Sequence, residues 1–339
     1  MPHWRGPTLA ATLSPTTRGA APSLSVVVPA YNEAEVIEEF QRRLGAVMDS
    51  IGLSWEVVYV DDGSTDATPA LLARLQAMRP EVAVVALSRN FGKEAALTAG
   101  LDHAAAREAV IVIDADLQDP PEVIPELVAA WRSGFDVAYA QRRSRAGETW
   151  LKKATASAFY RLMARIGGPV RLPADTGDFR LMSRRAIDAL LQLRERHRFM
   201  KGLFAWVGFP ACAVPYDRAP RAAGTTKWNY SRLWTLSLEG ITSFTTVPLR
   251  VATWLGLATA AAALGYGSWV VVKALLFGDP VPGYPSLMTV VLLLGGVQLV
   301  TLGVIGEYLG RIFNETKGRP LYLVGHHLPS RGRGSLPAE

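Results

Sequence analysis

The stretch LSVVVPAYNE, residues 24–33, decides the fold. Leu24 to Pro29 is nearly all apolar and β-branched, and it breaks abruptly into Tyr31, Asn32 and Glu33. A strand with one wet face alternates apolar and polar residues, whereas an unbroken apolar run marks a strand covered on both faces, as in a parallel sheet. The pattern recurs three times. Residues 56–66 read EVVYVDDGSTD, Val82–Leu87 runs into Ser88, Arg89 and Asn90, and Ala109–Ile113 runs into Asp114, Ala115 and Asp116. Amphipathic stretches at about 34–51, 67–79, 92–106 and 121–133 lie between them and carry helical periodicity. Strands alternating with helices predict a doubly wound α/β domain. In such sheets ligands bind beyond the carboxyl ends of the strands, and all four ends here carry polar chemistry.

The chain has 339 residues, 49% hydrophobic and 19% charged, against about 25% charged in an ordinary soluble domain. The deficit is local. Val251 to Gly310 holds three charged residues, Lys273, Asp279 and Glu307. Val251–Val272 and Ser286–Gly306 carry none, and about 20 apolar helical residues cross a bilayer core. The expectation is two transmembrane helices, at about 251–272 and 286–308, within a segment 250–312. Trp254, Trp269, Tyr284 and Tyr308 stand near the span ends as an aromatic belt, and Lys273–Pro285 connects the two. A hairpin buried in a soluble core is the alternative. Arg250, Arg311, Lys317 and Arg319 flank one side and only Lys273 the other. The positive-inside rule therefore puts the large domain and both termini on the cytoplasmic side of the membrane. Residues 228–249 mix Trp, Leu, Ile and Phe with Arg232 and Glu239; they read as interfacial helix, with a soluble amphipathic helix as the alternative.

Net charge is +6, which suits nucleic acid, anionic lipid or a phosphorylated substrate equally. Collagen, a disordered chain, a disulfide scaffold and a many-span transporter are excluded by composition. Cys212 is the single cysteine and reads as a small buried apolar residue. Residues 1–22 lack the apolar run of a signal peptide and read as a disordered leader; the tail of 313–339, from Val324 onward, reads as equally loose.

Asp114 and Asp116 project to one side of an extended chain, with Ala115 opposite and Gln118 next on the same side. Paired carboxylates repel unless a cation or proton stabilises them. Hard oxygens suit Mg²⁺ or Mn²⁺ completed by substrate phosphates. Acids capping the helix that follows Asp119-Pro120-Pro121-Glu122 are the plainer reading. In Asp61-Asp62-Gly63-Ser64-Thr65-Asp66, Gly63 permits a tight turn, Ser64 or Asp66 can cap a helix, and an Asp can bond a base or ribose. No Gly-x-Gly-x-x-Gly follows the first strand and no Gly-x4-Gly-Lys-Ser/Thr occurs, which argues against a dinucleotide dehydrogenase or a P-loop NTPase.

Taken in order, VVVPAYNE (26–33), VDDGSTD (60–66), NFGK (90–93) and DADLQDPPE (114–122) resemble glycosyltransferase family 2, in its polyprenyl-phosphate hexosyltransferase group. Gly177-Asp178-Phe179-Arg180, Arg198-Phe199-Met200-Lys201-Gly202 and Gly224-Thr225-Thr226-Lys227-Trp228 are similar to its bacterial two-span members. The resemblance covers about residues 24–320. It implies a GT-A type, Rossmann-like nucleotide-diphospho-sugar fold. It places Pro29, Tyr31, Glu33, Asp62 and Lys93 in the nucleotide-sugar site, with Asp114 and Ala115 beside the ribose and diphosphate. It places Asp116 and Gln118 as metal ligands, and Arg142, Arg221 and Lys227 on the donor and acceptor phosphates. Asp178 is either an acceptor-orienting base or structural.

The implied reaction is inverting transfer of a hexose, glucose from UDP-glucose first among the candidates, to undecaprenyl or another polyprenyl phosphate. GDP-mannose, UDP-N-acetylglucosamine and aminosugar donors stay open, as does a non-catalytic scaffold that only binds the nucleotide sugar. A divalent ion, Arg142 and Lys227 would stabilise the departing diphosphate. A lipid phosphate is already anionic at pH 7 and needs positioning more than a general base. Arg142, Arg143, Arg145, Lys152, Lys153, Arg161 and Arg165, and separately Arg194, Arg196, Arg198 and Lys201, read as basic surfaces facing anionic headgroups. His197 reads as structural or surface. Nucleic acid is not an expected partner, because aromatics are not interleaved with these charges. Apolar spans permit a homo-oligomer without requiring one.

Overall fold

The computed structural model describes residues 21–143, 173, 176–196, 198–218, 247–277 and 283–331. Residues 1–20 of the expected leader, His197, the basic run after Arg143, and the interfacial stretch up to residue 246 lie outside the described residues. Pro22, at the end of the expected leader, is tied down, its carbonyl accepting from the Arg107 N–H at 2.9 Å.

Eight strands form one mixed sheet: β1 (Leu24–Ala30), β2 (Trp55–Asp61), β3 (Val82–Leu87), β4 (Ala109–Val112), β5 (Val137–Arg142), β6 (Thr176–Ser183), β7 (Ala211–Tyr216) and β8 (Val324–Leu328). Their order is β7-β5-β6-β4-β1-β2-β3-β8. The four strands read from the sequence form the parallel centre. The chain builds outward from β1 through β2 to β3 and then crosses back to β4 on the other side of β1. That reversal opens a crevice at the carboxyl ends of β1 and β4. β6 runs antiparallel between β4 and β5, with Val112 opposite Arg180, so the beginning of β6 lies at the same end.

Helices cover both faces: α1 (Ile37–Ile51), α2 (Thr68–Met78), α3 (Lys93–His103), α4 (Ile124–Arg132, after a 3₁₀ turn at Pro121–Val123), α5 (Arg184–Leu191) and α6 (Met200–Trp206). One core cluster joins Phe40, Leu44, Tyr59, Ile111 and Leu127, a second joins Val27, Leu97, Val110, Met182 and Phe204, and a third joins Val58, Val60, Val85 and Ala99. Two-sided burial is why β1 to β4 lack alternation. Gly100 lets α3 lie directly on β1, since a Cβ there would come 2.3 Å from Val27 Cγ1. Buried Glu56 accepts from Ser25 Oγ at 2.5 Å, the Ala105 N–H at 2.7 Å and Ser330 Oγ at 2.8 Å. It thereby joins β1, β2, the α3–β4 loop and the C-terminal segment.

Two long helices, α7 (Val247–Phe277) and α8 (Tyr284–Thr316), pack on one another. Each contains a window long and apolar enough to cross a membrane, Val247–Trp269 and Leu293–Thr316, and both windows are almost wholly exposed. That exposure disfavours the buried-hairpin alternative. The boundaries shift from the sequence expectation. Lys273, expected in the connection, lies inside α7, and Val247–Leu249, expected in an interfacial helix, open it. An α-helix continues as long as its backbone bonds continue, so at about 1.5 Å per residue these 31- and 33-residue helices outlast the hydrocarbon core.

The loose tail expected after Val324 is corrected. Val324–Leu328 pairs antiparallel with β3 and closes that sheet edge. Beyond it, the Arg331 guanidinium donates to the Gln76 and Ala77 carbonyls at the end of α2, at 2.8 and 2.7 Å. The strand carries His326 and His327 and is exposed throughout, so no apolar alternation betrays it. Cys212, expected buried, is half-buried on the β7 edge.

Candidate active site

Three loops at the carboxyl end of the sheet are stitched together by short polar side chains. The Asn32 N–H donates to Ser64 Oγ at 3.0 Å, the Thr65 N–H to Asn32 Oδ1 at 2.8 Å, and the Glu33 N–H to Thr68 Oγ1 at 2.9 Å. Asp66 accepts the Thr68 N–H at 2.9 Å and so serves the start of α2. The third loop joins through Asp62, whose two oxygens accept the Phe91 and Gly92 N–H groups at 2.7 and 2.9 Å. Burial raises the Asp62 pKa, those backbone donors opposing it. Gly63 sits at φ +68°, and a Cβ there would meet the Arg89 carbonyl carbon and the Asn90 nitrogen at 2.6 Å. The close approach and the left-handed backbone both require glycine. Tyr31 projects from this cradle at 40% exposure.

The end of β4 supplies the acids. Ala115, Leu117 and Asp119 are buried while Asp114, Asp116 and Gln118 are half-exposed, so the expected alternation holds although the chain turns here rather than staying extended, with Leu117 left-handed at φ +59°. Asp116 Oδ1 accepts the Gln118 N–H at 3.1 Å. Asp119 does not cap the following helix; it accepts from the Tyr216 hydroxyl and lies 3.5 Å from Arg218 Nε.

Asp178, at the beginning of antiparallel β6, comes opposite Asp114. The Lys93 ammonium, at the start of α3, bridges them, 2.7 Å from Asp114 and 2.6 Å from Asp178. Burial would lower the Lys93 pKa, but the charges of Asp114 and Asp178 outweigh it and raise it. Burial likewise opposes ionisation of Asp178, yet the Lys93 and Lys201 charges hold it well below the usual carboxylate range. Asp178 Oδ1 is buried with no hydrogen-bond partner. Under it lies buried Arg180, which donates to the Gly177 and Asp178 carbonyls at 2.9 and 3.3 Å and covers the Phe204 ring at 3.9 Å. Burial pushes its pKa down to about 10. Arg142 ends β5 beside Gly177 and donates to the Tyr216 hydroxyl at 3.4 Å.

Among the described residues no three His, Cys, Asp or Glu side chains gather as a metal shell. Asp116 and Gln118 nevertheless supply two hard oxygens on the open side of the crevice. That donor set fits a divalent ion completed by substrate phosphates and water.

The sequence profile of glycosyl transferase family 2 matches residues 25–191, and that of the GtrB C-terminal hairpin matches residues 247–312. An uncharacterized glycosyltransferase of Synechocystis is 52% identical over 301 residues, 89% of this chain and 94% of that one. A prophage-derived bactoprenol glucosyl transferase of Shigella flexneri is 48% identical over 301 residues, 89% and 97% of the two chains. The chain belongs to glycosyl transferase family 2. Among solved structures, glucosyl-3-phosphoglycerate synthase of Mycobacterium tuberculosis, crystallised with Mn²⁺, UDP-glucose and phosphoglyceric acid, matches at 21% identity. It covers 64% of this chain and 76% of that one, with a TM-score of 0.46.

In this family 2 glycosyltransferase, the residues singled out from the sequence fall into three states. Lys93, Asp114 and Asp178 come together, and Pro29, Tyr31, Glu33, Asp62, Ala115, Asp116, Gln118 and Arg142 line or support the same end of the sheet. Arg221 and Lys227 lie outside the described residues. Asp62 spends both oxygens on the 91–92 turn and so acts on the crevice through the loop that carries Lys93. The basic group 194–201, expected at headgroups, is corrected in part: Arg194 pairs with Asp102 at 2.7 Å, and Arg198 is half-buried, donating to the Leu193 carbonyl at 2.5 Å.

Sequence reasoning missed Glu94. Its carboxylate accepts the Met200 N–H at 3.1 Å, and its pKa is pushed up to about 7 by burial and the neighbouring Asp178. An acid one residue into a helix looks like ordinary N-terminal charge, and only the docking of α6 buries it.

Proposed function

We propose that this glycosyltransferase moves a glucosyl group from a nucleotide diphosphate sugar, UDP-glucose, to the phosphate of a polyprenyl lipid. An oxygen of the lipid phosphate forms the new bond to the anomeric carbon. The bond from that carbon to the diphosphate breaks, and its electron pair leaves with the nucleotide. A single in-line displacement inverts the anomeric centre.

The observation that carries the reading is the assembly of Asp114, Asp116, Asp178, Lys93 and Arg142 in one crevice, on a chain that carries an apolar hairpin. The bactoprenol glucosyl transferase likeness over 89% of the chain supports glucose and a polyprenyl acceptor. Tyr31 offers an exposed ring face to the base. Arg142 faces the diphosphate, where negative charge grows as the bond breaks. Mg²⁺ or Mn²⁺ held by Asp116 and Gln118 would add charge stabilisation there. Lys93 is clamped by two carboxylates, so its part is to hold Asp114 and Asp178 side by side in the crevice. Asp178 orients the acceptor; no proton need be removed from a phosphate already anionic at pH 7.

The hairpin supports placement at a bacterial inner membrane, with the catalytic domain and both termini on the cytoplasmic side. Purified full-length protein given UDP-[¹⁴C]glucose, Mg²⁺ and undecaprenyl phosphate is expected to put label into the butanol phase. Asp116→Ala is expected to lower that rate by about 100-fold or more. Absence of label from the wild type, or equal label from the variant, overturns the reading.

A further inference from the structure

We infer that Lys201 is a side chain that binds the phosphate of the lipid acceptor, an assignment that rests on the polyprenyl-phosphate reading above. Among the described residues, Lys93 and Arg180 act on Asp178 besides Lys201, and Arg142 lies by the neighbouring Gly177; all three are committed. Lys93 is clamped between Asp114 and Asp178. Arg180 is buried against the Gly177 and Asp178 carbonyls and the Phe204 ring. Arg142 is engaged with the Tyr216 hydroxyl. Lys201 has no hydrogen-bond or ion-pair partner among the described residues.

Lys201 is also placed where such a cation is costly. The Met200 N–H bond to Glu94, at 3.1 Å, docks the start of α6 against the start of α3, beside Lys93. Phe204, one turn further along α6, packs over Arg180. Lys201 is thus half-buried, whereas a surface lysine keeps its ammonium in water. Burial lowers its pKa, Asp178 partly offsets that, and Lys93, Arg142 and Arg180 repel its charge further. The charge of Asp178 reaches this ammonium without a bond to it, and a phosphate monoester supplies an anion that it can bond. The partnerless Asp178 Oδ1 beside it can accept from a phosphate hydroxyl or a bridging water.

The position selects the acceptor over the donor. Tyr31 and Asp62 belong to the β1 and β2 ends of the crevice, whereas Lys201 enters from the β6 side with α6. The segment leading into α6 touches the hairpin, the Arg196 N–H donating to Glu315 Oε1 at 2.7 Å near the end of α8. A lipid phosphate brought along the hairpin therefore reaches the side of the crevice that Lys201 occupies.

The test measures steady-state transfer by the full chain, varying undecaprenyl phosphate and UDP-glucose separately, together with UDP affinity. Lys201→Gln, near-isosteric and neutral, is expected to raise the KM for undecaprenyl phosphate at least about tenfold, the loss of one charge-assisted contact. KM for UDP-glucose and UDP affinity should stay within about twofold. Lys201→Arg should recover most of the acceptor KM. An unchanged acceptor KM in Lys201→Gln, or a rise confined to the donor, overturns the assignment while leaving the transfer reaction intact. Equal damage to both substrates and to UDP affinity, unrelieved by arginine, shows a structural lysine and also overturns it. A wild-type protein that transfers nothing to undecaprenyl phosphate fails the reading beneath it instead.

Discussion

Asp114, just past the end of β4, and Asp178, on antiparallel β6, would repel one another without the Lys93 ammonium between them. Lys93→Met should leave the two carboxylates facing one another without a counter-ion. Because the Lys93 side chain is 44% exposed, its ammonium end being the part enclosed, the stability cost is at the low end for a broken ion pair, about 1–3 kcal/mol. Transfer activity should fall more steeply than stability does; chemical denaturation and the label assay, run side by side, separate the two.

Glu94 allows a second test at this scale. Its pKa is raised by burial first and by Asp178 second, to about 7. A raised carboxyl pKa means the folded protein favours the neutral acid. That stability is fully present below the unfolded value near 4.5 and is lost as pH rises through about 7. Glu94→Gln should therefore gain thermal stability relative to wild type at pH 8 and show little gain at pH 5. Melting temperatures in detergent at the two pH values check this, and an equal shift at both would refute it.

Among the elements, the loops at the sheet's carboxyl end are positioned by contacts that tolerate no added atoms. Gly63→Ala adds a methyl 2.6 Å from backbone and forces an L residue to φ +68°. It should cost about 1–3 kcal/mol and weaken UDP binding, because Asp62 and the 91–92 turn move with it. Gly100→Ala overpacks α3 on Val27, at a similar cost of about 1–3 kcal/mol. UDP affinity alongside denaturation distinguishes them, since Gly100 supports the core and Gly63 the site.

β8 is the element through which the hairpin is strapped back to the sheet. The Ser88 N–H bond to the Leu323 carbonyl, at 2.9 Å, fixes where the chain rejoins the domain, at the carboxyl end of β3. Tyr322 adds a 2.6 Å bond to Asp102, which also holds Arg194. Truncation after residue 323 removes β8 and bares the β3 edge. An open edge of apolar strand invites pairing with another chain. The truncated protein should melt lower and aggregate on size exclusion with light scattering.

For the whole molecule, the strap and the Arg196–Glu315 contact both put the base of α8 at the end of the sheet where the crevice opens. With Arg250, Arg311, Lys317 and Arg319 at that base, the domain is expected on the cytoplasmic face. A tag after residue 339 should resist protease added to the periplasmic side of intact cells and be cut in inverted vesicles. The opposite result refutes the orientation.

The sequence by itself determined the four-strand parallel centre, the two apolar helices and the carboxylates at Asp114 and Asp116. These are local signals: an all-apolar run reports burial on both faces, and a polar break reports where the strand stops. What it could not determine were contacts between residues distant along the chain. β8 has an exposed, polar-looking sequence and becomes a strand only because the β3 edge has unpaired backbone groups to offer. Lys201 belongs to a basic run that reads as surface, and the docking of α6 on Glu94 turns it inward. Asp178 gains its low pKa from Lys93, 85 residues earlier, because β6 runs antiparallel beside β4. Charge state depends on distance and burial, and only the tertiary structure sets those.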